Sequence, residues 1–236
     1  RVRVKGMLGA REVSFETVID PAQASARNGF VPRLWATRKV AALVDEVRQA
    51  GAEGASQSDA RMKELVDDIV RLSTRYGVLT EYTAFLARED TSLSPATMPQ
   101  LRAAVEQNLR DRAQGARAGA GGVGQQADVA AKQAASNAPA AGFYNVVVGR
   151  EVRAVREAAV NQVADKTFFG RSNRWVDASI LDSEDEKPDL TVDFGTDEYF
   201  RLAGELASEG RAAVLAQQGD VYLMHRAKRV LVRQTQ

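Results

Sequence analysis

The stretch from Asn28 to Val40 constrains the fold of this chain more than any other, because it marks the start of a helix. Asn28-Gly29 is a typical break in regular structure, and Pro32 can occupy the first turn of the helix that follows. Apolar residues then recur at helical spacing and form one stripe, which consists of Ala36, Val40, Leu43, Val44 and Val47. The sequence therefore predicts an amphipathic helix that buries this stripe.

A second helix, a strand and a third, short helix are predicted to follow. The second helix has its own apolar stripe, and Gly77 can end it in a left-handed conformation. That stripe consists of Met62, Leu65, Val66, Ile69, Leu72 and Tyr76. The apolar and β-branched run from Val78 to Leu86 predicts a strand. Apolar spacing between Leu101 and Leu109 predicts the short helix.

The composition excludes several classes of site. The chain has 236 residues, enough for one or two domains, and its net charge of +1 gives no overall field that would attract nucleic acid. It contains no cysteine, which excludes disulfides, thiolate catalysis and cysteine-based zinc sites. No apolar run reaches the length of a membrane span. Because the chain begins at Arg1 rather than Met, we expect a fragment or a processed product.

The predicted fold class is α+β, divided into three segments. Residues 1–112 form the first segment, and they begin with two strands joined around Gly9-Ala10. Polar and apolar residues alternate in the second strand, so one of its faces is predicted to be buried. An isolated hairpin is marginally stable, so these strands are predicted to need partners outside their own segment. Residues 113–142 are mostly Ala, Gly and Gln and are predicted to be a flexible linker that cannot offset its ordering entropy, with a transient Ala-rich helix near residues 125–136 left open. Residues 143–236 form a small C-terminal α+β module.

The C-terminal module is predicted from five patterns. Valines between Val148 and Val163 have helical spacing, and Thr191–Phe194 has the composition of a strand. Lys166–Asp177 and Ala213–Leu223 are predicted to be hairpins, and a helix is predicted to begin at Asp197.

Three segments of the chain resemble a known family. Phe30–Ala36, Leu65–Gly77 and Thr80–Leu86 resemble the segment that follows the von Willebrand A (vWA) domain in bacterial VIT/vWA proteins, which are relatives of the inter-alpha-trypsin inhibitor heavy chains. Glu81 stands where the family usually has Pro, and Ala84 stands where it often has Ser. The resemblance implies a β-sandwich built from segments on both sides of a vWA domain, with this chain bracing that domain.

The resemblance also implies a function, a location and partners. It implies a non-enzymatic structural or interaction segment of a cell-envelope or secreted protein, which supports adhesion or other protein–protein contacts. The expected partners are upstream VIT and vWA domains, other copies of the protein or further proteins, with no nucleic acid and no membrane span. Six residues are candidate partner or packing anchors, and we expect the two tryptophans among them to pack in cores: Phe30, Arg33, Trp35, Tyr82, Phe85 and Trp175.

No cofactor is expected in this chain, because any divalent metal would belong to the upstream vWA domain. The family's adhesion site uses an Asp-x-Ser-x-Ser run. Asp177-Ala178-Ser179 begins that string, but Ile180-Leu181 follows, so we assign no metal ligand here.

Three further motifs have parts of the patterns of catalytic or cofactor sites. Gly119–Gly124 matches G-x-G-x-x-G but has no strand before it, so a linker is predicted. Asp193-Phe194-Gly195 copies a kinase triplet without its companion motifs and is predicted to be a strand end at a turn. His225, the only histidine, is predicted to lie at the surface or at a strand end.

Two alternative functions remain open at the level of the sequence. One is a hydrolase-like or other enzyme module in the C-terminal part that uses His225 and nearby acids. The other is a processed subunit of an envelope assembly.

Overall fold

The computed structural model describes residues 1–20, 28–50, 59–88, 91, 93–114, 119–138, 140, 142–148, 150–183 and 186–234. It confirms the predicted α+β class. The α-helices are α1 (Phe30–Ala50), α2 (Asp59–Tyr76), α3 (Met98–Asn108), α4 (Gly119–Ala134) and α5 (Asp197–Ser208). A π-helical segment, Leu109–Gln114, continues α3. Short 3₁₀ segments lie at Ala84–Ala87, Ala178–Ser183 and Ala212–Ala216.

The described strands form two hairpins and one larger sheet. The hairpins are β1 (Val2–Leu8) with β2 (Arg11–Thr17), and β3 (Phe143–Val148) with β4 (Glu151–Arg156). The six-stranded sheet contains β5 (Val160–Val163), β6 (Lys166–Arg171), β7 (Arg174–Asp177), β8 (Leu190–Asp193), β9 (Asp220–His225) and β10 (Lys228–Arg233). Its order is β5-β6-β7-β9-β10-β8, with β7–β9 and β10–β8 parallel and the other neighbours antiparallel.

The six-stranded sheet is buried on both faces. Successive strand residues point to opposite sides, and the residues of each side belong to a different core. Phe169 and Tyr222 belong to a core that also contains the apolar stripes of α1 and α2. Their neighbours Phe168 and Leu223 belong to a second core, in which Leu206 of α5 is buried. The sheet therefore lies between a helical layer from the first half of the chain and α5.

Buried residues from both the first and the last predicted segments share one core. The stripes of α1 and α2 cluster with Phe169 and Tyr222 of the sheet. Arg171, itself buried, donates hydrogen bonds to the carbonyl oxygens of Leu86 (3.3 Å) and Arg88 (3.1 Å) and so ties the sheet to the Ala84–Ala87 segment. The division into three domains stays a prediction, but packing of the core does not stop at residue 112.

The strand predicted for Val78–Leu86 is wrong. These residues form turns and the 3₁₀ segment Ala84–Ala87. The Thr83 hydroxyl oxygen accepts a hydrogen bond from the backbone N–H of Thr80 (3.1 Å), and the Thr83 N–H donates to the Thr80 carbonyl (3.1 Å). Hydroxyl groups that bond to nearby backbone compete with strand pairing, which explains the turn.

The flexible linker predicted for residues 113–142 is also corrected where the structure describes it. Gly119–Ala134 is α4, which packs along α1 and buries Gly122, Gly124 and Val129. The G-x-G-x-x-G string therefore lies in a packed helix rather than in a linker. Small side chains let two helix backbones approach closely, so contacts with α1 offset the poor helix propensity of glycine. Residues 115–118, 139 and 141 lie outside the described part.

Two further predictions in the C-terminal module are wrong. The helix predicted for Val148–Val163 is replaced by β4 and β5, where β-branched residues favour strands over helix. The hairpin predicted for Ala213–Leu223 is replaced by the 3₁₀ segment Ala212–Ala216 and by pairing of β9 with β10. Arg226 and Ala227 form the β9–β10 turn with positive φ at both positions, a conformation that their residue types do not predict.

The remaining predicted elements agree with the structure. The hairpin β1–β2, the helices α1 to α3, the β6–β7 hairpin, β8 and α5 all lie where the sequence patterns place them. Gly77 ends α2 with a φ of +60°, as expected for a left-handed cap. β8 ends at Asp193, and Gly195 follows in a turn with a φ of +80°, as predicted for the kinase-like triplet.

Candidate functional site

The hairpin β1–β2 has one mainly apolar face, with Arg11 and Thr17 at its two ends, and one mainly charged face that also carries Met7. Val4 pairs with Phe15 and Gly6 pairs with Val13, so these residues share one side. Val2 and Leu8 point to the same side because side chains alternate along a strand. The alternation that predicted a hairpin with one buried face therefore produces a continuous apolar surface, which we call the hairpin's apolar face: Val2, Val4, Leu8, Val13 and Phe15.

No part of the described chain covers the hairpin's apolar face. Phe15 is 72% exposed and Leu8 is 73% exposed, values far above those of core residues of the same type. Val18 and Ile19, directly after the hairpin, are also exposed. A contiguous patch of large apolar side chains on a surface marks a contact site more often than a scattering of single residues does.

Ion pairs cover the opposite face of the hairpin. Arg3 is paired with Glu16 at 3.0 Å and Lys5 with Glu12 at 3.2 Å. These pairs are solvent-exposed and contribute little stability, but they keep this face compatible with water. The hairpin thus presents one face that can remain in water and one that is stabilised by burial against another surface.

Two of the predicted anchors, Arg33 and Tyr82, are buried. Burial lowers the pKa of Arg33 to about 10. Burial, and then the neighbouring negative charge of Glu81, raise the pKa of Tyr82. Both side chains therefore act in packing rather than as exposed partner anchors.

The other four predicted anchors divide between surface and core. Phe30 and Trp35 lie on the exposed side of α1, and Trp35 is 52% exposed, so its predicted core position is wrong. The Trp35 ring makes an edge contact with Tyr76, with centroids 6.1 Å apart. Phe85 is partly buried against the shared core. Trp175 packs against the second core, and its Nε1 donates a hydrogen bond to the Gln218 carbonyl oxygen (3.0 Å).

A cluster of charged side chains joins α4 to β3 and to the turn before Tyr82. Asp128 accepts hydrogen bonds from Lys132 (2.6 Å) and Asn145 (2.6 Å). Glu81 accepts hydrogen bonds from Arg112 (3.2 Å) and from the Val147 N–H (3.3 Å). These residues come from four separate segments of the chain, and sequence reasoning missed all of them as a group. The Asp128–Lys132 spacing of i, i+4 was the one sequence indication, because it favours a helix.

The polar cluster encloses a cavity of about 20 Å³, also lined by Arg48 and Gln125. A space of this size holds about one water molecule. The buried Oε1 of Gln125 and Nε of Arg48 have no hydrogen-bond partner in the protein, and both groups line this cavity. The polar cluster is therefore best explained as a packed joint between elements.

His225 lies at the end of β9, as predicted, but it is buried rather than at the surface. Its Nε2 is 2.9 Å from an oxygen of Glu205, and its Nδ1 is 3.9 Å from an oxygen of Glu209. Both ring nitrogens thus face carboxylates, one on α5 and one on the residue directly after it. The same carboxylates lie near Arg226, at 3.0 Å and 3.7 Å, so the histidine belongs to an ion-pair cluster between α5 and the sheet.

This ion-pair cluster extends to the β5–β6 turn, and it predicts an acid-dependent loss of stability. Arg211 donates hydrogen bonds to both oxygens of Asp165 (2.8 and 2.6 Å), which lowers the pKa of Asp165. A carboxylate with a lowered pKa stabilises the fold above its unfolded pKa of about 3.9 and loses that contribution as pH falls through its folded value. We therefore expect the free energy of unfolding to fall below about pH 4.

Arg211→Met should make the fall in unfolding free energy below about pH 4 shallower, because the pKa of Asp165 returns towards its ordinary value. Urea titrations at pH values between 2 and 6 measure this slope. Arg153→Met, which removes an exposed pair with Glu151, is the matched control and should keep the wild-type slope. An Arg211→Met slope equal to that of wild type would contradict the assignment.

Among the described residues, no group of three or more histidines and carboxylates has the arrangement of a metal site. Within the same part of the chain, no helix combines the length and the apolar character that crossing a membrane requires.

No protein-family model, curated protein or solved structure matches the chain.

Proposed function

We propose that this chain is a non-enzymatic interaction segment of a VIT/vWA-type protein, and that it docks through the hairpin's apolar face. The observation that carries the proposal is the exposure of the hairpin's apolar face beside an ion-paired face. A hairpin of two strands is marginal alone, whereas a hairpin packed on another sheet is stabilised by the burial of Val4, Leu8 and Phe15.

The partner we propose is the β-sheet of a neighbouring VIT or vWA-associated domain of the same protein. The resemblance of Phe30–Ala36 to the post-vWA segment supports this choice, because in that family segments on both sides of the vWA domain form a β-sandwich, and the hairpin β1–β2 directly precedes Phe30–Ala36 in sequence. A partner sheet can pack on the hairpin's apolar face, and it can also add a strand to either free edge of the hairpin. By the same resemblance, the proposed location is the cell envelope or the secreted fraction.

When the chain is studied without such a domain, its copies should associate through the hairpin's apolar face. Sedimentation velocity should show dimers or larger species, and their fraction should rise when the protein concentration is raised roughly a hundredfold. Phe15→Ser should shift the distribution to monomer, because it places a hydroxyl at the centre of the face. Since Phe15 has no core contact to lose, the thermal unfolding midpoint should stay unchanged.

Phe200→Ser is the matched control, because Phe200 is a similarly exposed phenylalanine on α5. It should leave association as in wild type. A wild-type chain that stays monomeric at every concentration, or equal loss of association in both variants, would contradict the proposed docking face.

A further inference from the structure

An open groove lies between α2, the start of α3 and the 3₁₀ segment Ala178–Ser183. Its volume is about 490 Å³, within the range of roughly 300–1,000 Å³ that small-molecule sites occupy. None of its lining residues belongs to the hairpin β1–β2, so an argument from this groove is independent of the proposed docking function.

The groove combines an apolar floor with a cationic rim. Leu93 and Leu181 are buried, and together with Met98 they give the floor its apolar character. The rim contains three guanidinium groups and one carboxylate: Arg71, Arg75, Arg102 and Asp182. We propose that this groove binds an amphipathic anion, which is a small molecule with a carboxylate or phosphate group on an apolar body.

Two of the three rim arginines are paired with carboxylates outside the groove lining. Arg71 is paired with Asp68 at 2.8 Å, and Arg102 is paired with Asp67 at 3.1 Å. Each retains further N–H donors, because a guanidinium has five of them. These exposed pairs contribute little stability, and both side chains keep N–H donors for a ligand's head group.

Arg75 carries the charge that is most available to a ligand. Among the ion pairs of the described residues, none includes Arg75. Its guanidinium instead lies 5.9 Å from the centroid of the Tyr76 ring. A planar guanidinium of this kind binds a carboxylate or phosphate through two parallel hydrogen bonds.

The start of α3 adds apolar contacts to the groove rather than hydrogen-bond donors. The Met98 N–H already donates to the Ser94 carbonyl (3.1 Å), and Pro99 has no N–H. Recognition of the anion therefore depends on the arginine side chains, and substitution of Arg75 tests the proposal directly.

Isothermal titration calorimetry with four probes tests the groove. Octanoate and octyl phosphate carry both features of the proposed ligand, octan-1-ol lacks the charge, and inorganic phosphate lacks the apolar body. At least one of the two amphipathic anions should bind at a ratio of one to one. Arg75→Glu should weaken that binding by at least about tenfold, as expected for loss of a hydrogen bond to a charged group. Whichever of the two binds more tightly identifies the head group.

The matched control is Arg201→Glu, which alters an exposed arginine on α5 that is paired with Glu198 at 3.2 Å, much as Arg71 is paired on α2. Arg201→Glu should leave the affinity within about twofold of wild type. Circular dichroism of both variants should match wild type, since both side chains are exposed. The proposal is overturned if neither amphipathic anion binds, if octan-1-ol or inorganic phosphate binds as tightly, or if the two variants weaken binding equally.

Discussion

Asp177→Ala is expected to lower the free energy of unfolding by about 3–5 kcal/mol, as for other buried ion pairs that lose one partner. Asp177 lies at the end of β7 with its side chain 3% exposed. One carboxylate oxygen accepts hydrogen bonds from the N–H and the hydroxyl of Ser179, and the other accepts from Lys166 (2.5 Å) and from the Met224 N–H. Removing the carboxylate leaves the Lys166 ammonium largely buried without its counter-charge.

Urea titration measures the loss, and two further variants show whether its cause is assigned correctly. Asp193→Ala removes an exposed carboxylate that is paired with Arg233, and it should cost at most about 1 kcal/mol. Adding Lys166→Met to Asp177→Ala should recover part of the stability, because it removes the unpaired ammonium. A cost for Asp177→Ala no greater than that for Asp193→Ala would contradict the role of Asp177 as a buried hydrogen-bond acceptor.

Phe169→Ala should likewise cost about 3–5 kcal/mol, the usual range for removing a fully buried aromatic side chain. Phe169 is 0% exposed and lies in the core shared by the sheet, α1 and α2. The loss should therefore lower the unfolding midpoint of helices and sheet together, although the predicted domain boundaries place them in different segments.

The two tryptophans allow unfolding to be followed separately at α1 and at the sheet. Trp35 lies on α1 and Trp175 lies on β7, so Trp175→Phe and Trp35→Phe variants each retain one fluorescent probe. In the Phe169→Ala background, both probes should report the same lowered midpoint in urea. Phe200→Ala, at an exposed position, should change the free energy of unfolding by no more than about 0.5 kcal/mol. A lowered midpoint for Trp175 with an unchanged one for Trp35 would show that the two segments unfold separately.

The sequence predicted the elements in which apolar residues recur at the spacing of a helix or of a strand. Val40, Leu43 and Val47 on α1 recur at helical spacing, and the structure buries all three. The alternating residues of β2 likewise predicted that one side of the hairpin is apolar. In each case a local pattern of residues determines which side of the element is apolar.

Other elements depend on contacts that no local pattern shows. α4 is rich in glycine and alanine and becomes a helix because Gly122 and Val129 pack against α1. The turn at Thr80 depends on its hydrogen bonds with Thr83, which compete with the strand that the β-branched residues favour. The arginines of the groove come from two helices, and its floor includes Leu181 from a segment about a hundred residues further along the chain.

The central claim is that the hairpin's apolar face is a protein interface. Photo-crosslinking at position 15 tests this claim most directly. p-Benzoylphenylalanine in place of Phe15 should give discrete crosslinked products when the protein is irradiated in the cells that produce it. Peptide mapping should locate the crosslinks in strands of a VIT or vWA-associated domain, or in the hairpin of a second copy when the chain is studied alone. The same substitution at Phe200, which is similarly exposed, should give none of these products. Equal crosslinking at positions 15 and 200, or no protein adduct at position 15, would contradict the proposed interface.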